Sequence, residues 1–335
     1  MKKAIIGLFA TLFTLLTLAA VAGYWGYQTL LTYADTPLKI TQAQELDVKR
    51  GTNFNQFISL LESEQLIEEG WKLKWLVRIK PELAGIRSGL YELEPTDTLN
   101  SLLAKVISGK EKSFAVTLLE GQTVKEWQLV LEQQPRLTLS EDIFAQVLRE
   151  NGDDSGLPEG KFFPDTYHYI AGSSERALLN KSYKKMQLEL DKAWQGRQQG
   201  LPLKSAYELL ILASIIEKET GKASERPWIA AVFINRLRKG MRLQTDPTVI
   251  YGMGDRYKGN ITRKDLRETT AFNTYKINGL PPTPIAAPSL AALQAAAHPA
   301  DVDYFYFVSR NDGSHVFSKT LNEHNRAVNK YQRNR

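Results

Sequence analysis

Residues Leu209–Thr220 read LLILASIIEKET, a strongly apolar helical run that ends in two glutamates, Glu217 and Glu219. A carboxyl group on an apolar helix face has its ionised form penalised, so it tends to keep its proton near neutral pH. That is what a general acid requires. On a helical wheel with Ile216 at zero, Leu209, Leu212, Ala213 and Ile216 fall between about −40° and +60° and define the core-facing stripe. Glu219 falls near about −60°, at the stripe's edge, while Glu217 falls near about +100° and Lys218 points to solvent. The wheel favours Glu219 as the half-buried acid. A solvated helix end is the competing reading.

The rest of the chain narrows the chemistry. It has 335 residues, enough for two domains with cores of their own. Hydrophobic content of 43% and charged content of 24% are ordinary for a globular protein. The net charge of +6 fits anionic surroundings, whether nucleic acid, acidic polymer or membrane. With no cysteine, disulfides, thiolate metal sites and a cysteine nucleophile are excluded. The four histidines (His168, His298, His315, His324) show no metal-binding spacing, so neither metal nor cofactor is expected. Gly109-Lys110 and Gly221-Lys222 lack the earlier glycine of a phosphate-binding loop. Ser182-Tyr-Lys-Lys185 matches S-x-x-K, but its companion S-D-N and K-T-G elements are missing.

At the N-terminus, Lys2 and Lys3 precede an uncharged apolar run from Ala4 to Gly23, followed by Tyr24, Trp25 and Tyr27. Roughly 20 such residues span a bilayer. The lysines favour a cytoplasmic N-terminus and the aromatics suit the far interface, which puts the remainder outside the cytoplasm and counts against nucleic-acid work. Ala20-Val21-Ala22 also matches a signal-peptidase site, but the apolar run is longer than a usual signal segment.

Three segments then repeat one pattern of strand, turn, polar cap and amphipathic helix. They begin at Val48, Leu93 and Leu119. The middle one, Tyr91–Leu103, resembles the LysM motif of glycan-binding modules, without that motif's usual glycine before Asp97-Thr98. Lys105–Lys112 and Arg136–Gly160 read as connections, and 174–198 as a long polar helix. Ser224 reads as the cap of the next helix, and the stretch from Gly240 to Pro288 as loops rich in Gly, Pro, Asn and Thr. An alanine-rich helix (289–298), strands at 304–308 and 315–318, and a basic terminal helix complete the chain. Irregular alternation of helices and short strands predicts an α+β fold. A loop-rich stretch of about 50 residues is unusual in a compact domain and usually functional. Its amides, hydroxyls and aromatic rings suit a sugar-binding groove.

Ala213–Thr220, Ser224-Glu-Arg, Val232–Leu237, Met241–Gly252, Asn273-Thr-Tyr, Gly279-Leu-Pro-Pro, Ala297-His-Pro and Tyr304–Val308 together resemble the endolytic murein transglycosylase family. The resemblance covers nearly the whole chain. It implies a single-pass protein of the inner membrane with its catalytic domain in the periplasm. Such an enzyme cuts the β-1,4 bond between N-acetylmuramic acid and N-acetylglucosamine without water and leaves 1,6-anhydro ends, terminating or trimming nascent strands. The second glutamate of the family's E-K-E motif, here Glu219, is implied as the catalytic acid. Glu225, Asn235, Gln244, Asp246, Tyr251 and Asn273 are the candidates for orienting the sugar or Glu219. Peptidoglycan glycan strands are the expected partner, the inner membrane a second through the N-terminal helix, and cell-wall synthases candidate protein partners. The expected organisation is 1–3 cytoplasmic, 4–28 transmembrane, 29–44 linker, 45–118 a small LysM-like α/β subdomain, and 119–335 a larger mixed α+β catalytic domain. The rival is a non-catalytic glycan-binding scaffold of the cell-wall machinery; an acyl enzyme using Ser182 is a third reading.

Overall fold

The computed structural model describes residues 2–333, which fall into two compact units divided between Phe114 and Ala115. The first opens with α1 (Lys2–Ala34), one continuous helix whose residues from Ile5 are long and apolar enough to cross a bilayer. Several of its threonine side chains bond within the helix. Thr11, Thr14 and Thr17 each donate to the carbonyl four residues back, at 2.9 Å, as an apolar medium demands.

The remainder of this unit runs β1 (Gln44–Val48), α2 (Phe54–Ser63), α3 (Gly70–Ile79), β2 (Gly89–Leu93) and α4 (Leu99–Ser108). β1 and β2 pair antiparallel with Leu46 opposite Tyr91. The core joins Leu46, Val48, Phe57, Leu61, Leu73, Tyr91 and Leu102, and takes in Ala34 at the end of α1. The LysM-like segment spans β2 and the start of α4.

The second unit contains β3 (Ser113–Leu118), in which the division between units falls, α5 (Val124–Glu132), α6 (Ile143–Glu150) and β4 (Asp165–Ile170), which pairs with β3. Then follow α7 (Glu175–Gly196), α8 (Ala206–Glu219), α9 (Arg226–Arg238), α10 (Asp246–Met253), α11 (Leu290–Ala297), the antiparallel hairpin β5 (Tyr306–Ser309) and β6 (His315–Ser318), and α12 (Leu321–Val328). Helices with small separate two-stranded sheets make this mixed α+β, as expected.

The repeated strand–cap–helix pattern is present three times. Asn53, Thr98 and Thr123 each accept from the backbone three residues on, and the side chain at that third position returns the bond. Three local expectations need correction. Arg136–Gly160 holds α6, a short amphipathic helix that starts without a side-chain cap. The stretch after Gly240 is not loop throughout but holds α10, with Asp246-Pro247 in its first turn. Ser224 lies in a short 3-10 turn, and α9 begins after Glu225.

The helix α8 is not a one-sided stripe. Leu209 through Ile216 are all buried, against α7, α9, α10 and α11. Its one polar core residue, Ser214, donates to the Ile211 carbonyl (2.7 Å) and accepts from Ile285 N (3.0 Å). The last turn of this fixed rod therefore emerges from the core at a set place, which positions both glutamates.

Candidate active site

Glu217 and Glu219 are both partly buried, so exposure does not separate them. Their surroundings do. The Glu217 side chain is 5% exposed, accepts from the backbone N–H of Ser289 (3.0 Å) and its hydroxyl, and lies 3.9 Å from the Arg226 guanidinium. Ser289 is the N-cap of α11, so Glu217 is committed to holding that helix start.

Glu219 instead opens into a cleft of about 470 Å³. α9 contributes Arg236 to it, the loop entering α10 contributes Gln244, Thr245 and Asp246, and Tyr275 adds a ring. The β5–β6 hairpin contributes Tyr306, Phe307 and His315, and α12 contributes His324. The Thr245 hydroxyl donates to Glu219 Oε1. The Glu219 carboxyl is pushed up to about 7 from its usual 4.5, chiefly by burial; the Thr245 hydroxyl and Arg236 pull it down and the Asp246 carboxylate adds to the rise.

Arg236 is a buried cation held rigidly. Its Nε donates to the Phe305 carbonyl (2.6 Å), and Nη1 donates to the carbonyls of Arg242 and Leu243 (3.0 Å each) and to Gln244 Oε1 (3.2 Å). Its guanidinium also lies over the Tyr306 ring, 5.1 Å from the centroid. Gln244 carries φ +54°, the left-handed region that a non-glycine residue occupies only when its surroundings impose it. That conformation sits one residue before the hydroxyl that binds Glu219. Asp246 accepts from the Tyr275 hydroxyl at 2.7 Å.

The other expected residues are placed differently. Glu225 does not line the cleft; it accepts from the backbone of His315 (3.1 Å) and bonds its ring Nδ1 (2.7 Å). Burial opposes ionisation of Glu225, but these bonds hold its carboxyl below the usual range. Asn235 donates to the carbonyls of Val302 (2.8 Å) and Tyr304 (3.1 Å) and fastens the chain entering β5. Asn273 donates to the Asp265, Leu266 and Glu268 carbonyls and accepts from Tyr275 N, so it ties the loop that carries Tyr275.

Tyr251 donates to Glu159 at 3.1 Å. Burial raises the Glu159 carboxyl to about 7, against a bond from Val124 N. Gly160 beside it has φ +74°, and a Cβ there would fall 2.5 Å from that of Pro284. Sequence reasoning missed Glu159, along with the cleft roles of Arg236, Thr245, Tyr275, Tyr306, His315 and His324. His324 stacks on Tyr306 with centroids 5.2 Å apart, and burial, then Arg236, lowers its ring below the usual range.

Ser182 is buried and donates to the Phe163 carbonyl (3.0 Å), while Lys185 pairs with Asp165 (2.5 Å). The serine of S-x-x-K therefore lies in the core, with its lysine occupied elsewhere.

Comparison with known proteins agrees with the sequence resemblance. The YceG-like family pattern matches residues 46–330, and the chain belongs to that family. An endolytic murein transglycosylase from Bacillus subtilis (strain 168) is 30% identical over 85% of this chain and 84% of its own length. One from Streptococcus pneumoniae (strain D39) is 27% identical over 93% of this chain, which spans 63% of that longer protein. The crystal structure of a yceG-like protein from Listeria monocytogenes is 29% identical, with a TM-score of 0.55 over 86% of this chain and 100% of that one.

Proposed function

We propose that this YceG-like chain is an endolytic murein transglycosylase, anchored by α1 in the inner membrane with its second unit in the periplasm. It would cut the β-1,4 bond between N-acetylmuramic acid and N-acetylglucosamine to leave 1,6-anhydro ends, terminating or trimming nascent strands beside cell-wall synthases. A glycan-holding role for the LysM-like residues 45–118 belongs to the same proposal.

One observation carries the reading. Glu219 is the carboxyl in the cleft that burial lifts well above the usual carboxylate range, and the same cleft holds the fixed Arg236 cation to stabilise the charge that forms when the proton leaves. Glu219 donates its proton to the glycosidic oxygen as the bond to C1 breaks through an oxocarbenium-like state. The carboxylate so formed accepts the proton of the same sugar's C6 hydroxyl as O6 bonds to C1. Glu219 ends protonated, no water is consumed, and no second catalytic carboxylate is needed.

The surrounding residues have physical roles in this scheme. Asp246 and burial keep the acid protonated beforehand. Arg236 stabilises the transient carboxylate at low local dielectric, where a fixed charge acts most strongly. Thr245 fixes its orientation. Tyr275 presents a ring against which a sugar face packs. Glu225 orients His315 through Nδ1, which leaves the other ring nitrogen to meet a sugar hydroxyl or amide.

The deciding experiment incubates purified glycan strands with wild type, Glu219→Gln and Glu217→Gln, and reads product ends by mass. Anhydro ends are expected from wild type and Glu217→Gln and lost with Glu219→Gln. Undiminished anhydro products from Glu219→Gln would sink the assignment, and no cleavage by wild type would favour the scaffold reading. A second reading has its own observation: Asp246 shares the cleft with Glu219, and paired carboxylates are the apparatus of glycoside hydrolysis. Ends heavier by one water would establish it.

A further inference from the structure

The helix α3 buries Leu73 and Leu76 and leaves Trp71 (56% exposed), Trp75 (51%) and Ile79 (45%) in the open. These three recur every four residues and form one stripe along the helix. Lys74 and Arg78 lie on the same exposed face, and α3 carries no acidic residue. The Arg78 guanidinium sits over the Trp75 ring, 4.7 Å from its centroid. Two exposed indoles and an isoleucine in line form a surface that soluble monomers rarely leave in water.

The position of α3 specifies what covers that stripe. α3 packs against α1, and the Lys72 ammonium lies 5.3 Å from the centroid of the Tyr33 ring. Trp25 of α1 and Lys72 of α3 line one cleft of about 460 Å³. Trp25 is one of the aromatics that close the apolar run, so α3 begins where a bilayer holding α1 gives way to water. Indole rings settle in that layer, and lysine and arginine beside them meet anionic headgroups.

We propose that α3 is a second membrane contact: its Trp71–Trp75–Ile79 stripe, with Lys74 and Arg78, lies in the anionic headgroup layer of the bilayer that α1 enters. The proposal rests on reading α1 as membrane-embedded. It makes the first unit a body seated on the membrane instead of one hanging from a tether.

The absence of native cysteine allows unique labelling. Leu12→Cys and Trp75→Cys, each carrying an environment-sensitive fluorophore, are reconstituted as full chains in nanodiscs of phosphatidylglycerol and phosphatidylcholine. A fraction of the lipid bears a nitroxide quencher on its acyl chain close to the headgroup. Quenching at both positions is expected, with most of it lost at position 75, and none at position 12, when Lys74→Glu and Arg78→Glu are added. Quenching at 12 without quenching at 75 overturns the α3 contact and leaves the anchor standing. No quenching at either position overturns both. Quenching at 75 that survives charge reversal overturns the recognition of anionic lipid.

Discussion

Glu219→Gln at alkaline pH is expected to abolish turnover and stabilise the fold at the same time. Burial raises the Glu219 carboxyl from 4.5 to about 7. The folded state therefore binds this proton more tightly than the unfolded state, and folding stability falls as pH rises between those two values. At 1.36 kcal/mol per pKa unit, the wild type above pH 7 carries about 3 kcal/mol of destabilisation from this one group. Below pH about 4.5 the group is protonated in both states and the term vanishes.

Glutamine cannot ionise, so the variant escapes the penalty, while its new amide must find partners and returns part of the gain. A net stabilisation of about 1–3 kcal/mol at pH 8 follows, with little at pH 4. For a unit of this size it corresponds to a rise of about 2–10 °C in Tm. The assay is thermal unfolding of wild type and variant at pH 4, 6 and 8. Glu159, whose carboxyl is also raised to about 7, contributes equally to both proteins, so their difference isolates Glu219. A Tm difference that is the same at all three pH values, or a variant less stable at pH 8, would refute the reasoning.

Three further outcomes follow from the same geometry. Activity should decline as pH rises through about 7; Asp246→Asn should move that midpoint down and Thr245→Val should move it up, because the carboxylate raises Glu219 and the hydroxyl lowers it. Initial rates on glycan strands across pH 5–9 read both shifts. Glu225→Gln should raise KM about 3–10-fold, roughly the value of one lost hydrogen bond, with kcat changed less than about twofold. His315→Gln should give the same effect, and the double variant should add nothing, as steady-state kinetics would show. Asn235→Ala strands the Val302 and Tyr304 carbonyls and should cost about 1–3 kcal/mol in urea unfolding while kcat stays unchanged.

How far the sequence reached differs from residue to residue. The three capped strand–helix segments were legible because a capping box is written within four consecutive residues. Glu219 was singled out on the wheel, yet the wheel gave the wrong reason. α8 is buried all round, and the two glutamates differ in what they face, which no single-helix projection contains. Gln244 and Asp246 stood out as polar residues of the loop-rich stretch, and both line the cleft with Glu219.

Asn235 and Asn273 look like sugar ligands in one dimension. In three dimensions they spend their amides on backbone carbonyls, a use fixed by which loops happen to pass nearby. Arg236 was hidden beside Asn235, since an arginine on a helix reads as solvent-facing until its carbonyl partners are known. Tyr306, His315 and His324 arrive from some 90–105 residues downstream of Glu219 on elements whose local pattern says only strand or terminal helix. Tyr306 lies in one of the ordered motifs that carried the family resemblance, whereas His315 and His324 lie in none of them.

The claim that the substrate's own C6 hydroxyl is the nucleophile is tested most directly by cleaving glycan strands in water enriched in ¹⁸O and weighing the new ends. The account predicts 1,6-anhydro ends with no ¹⁸O incorporated by the wild type, and no new ends from Glu219→Gln. Reducing ends that carry ¹⁸O would show that water attacks C1, and would contradict it.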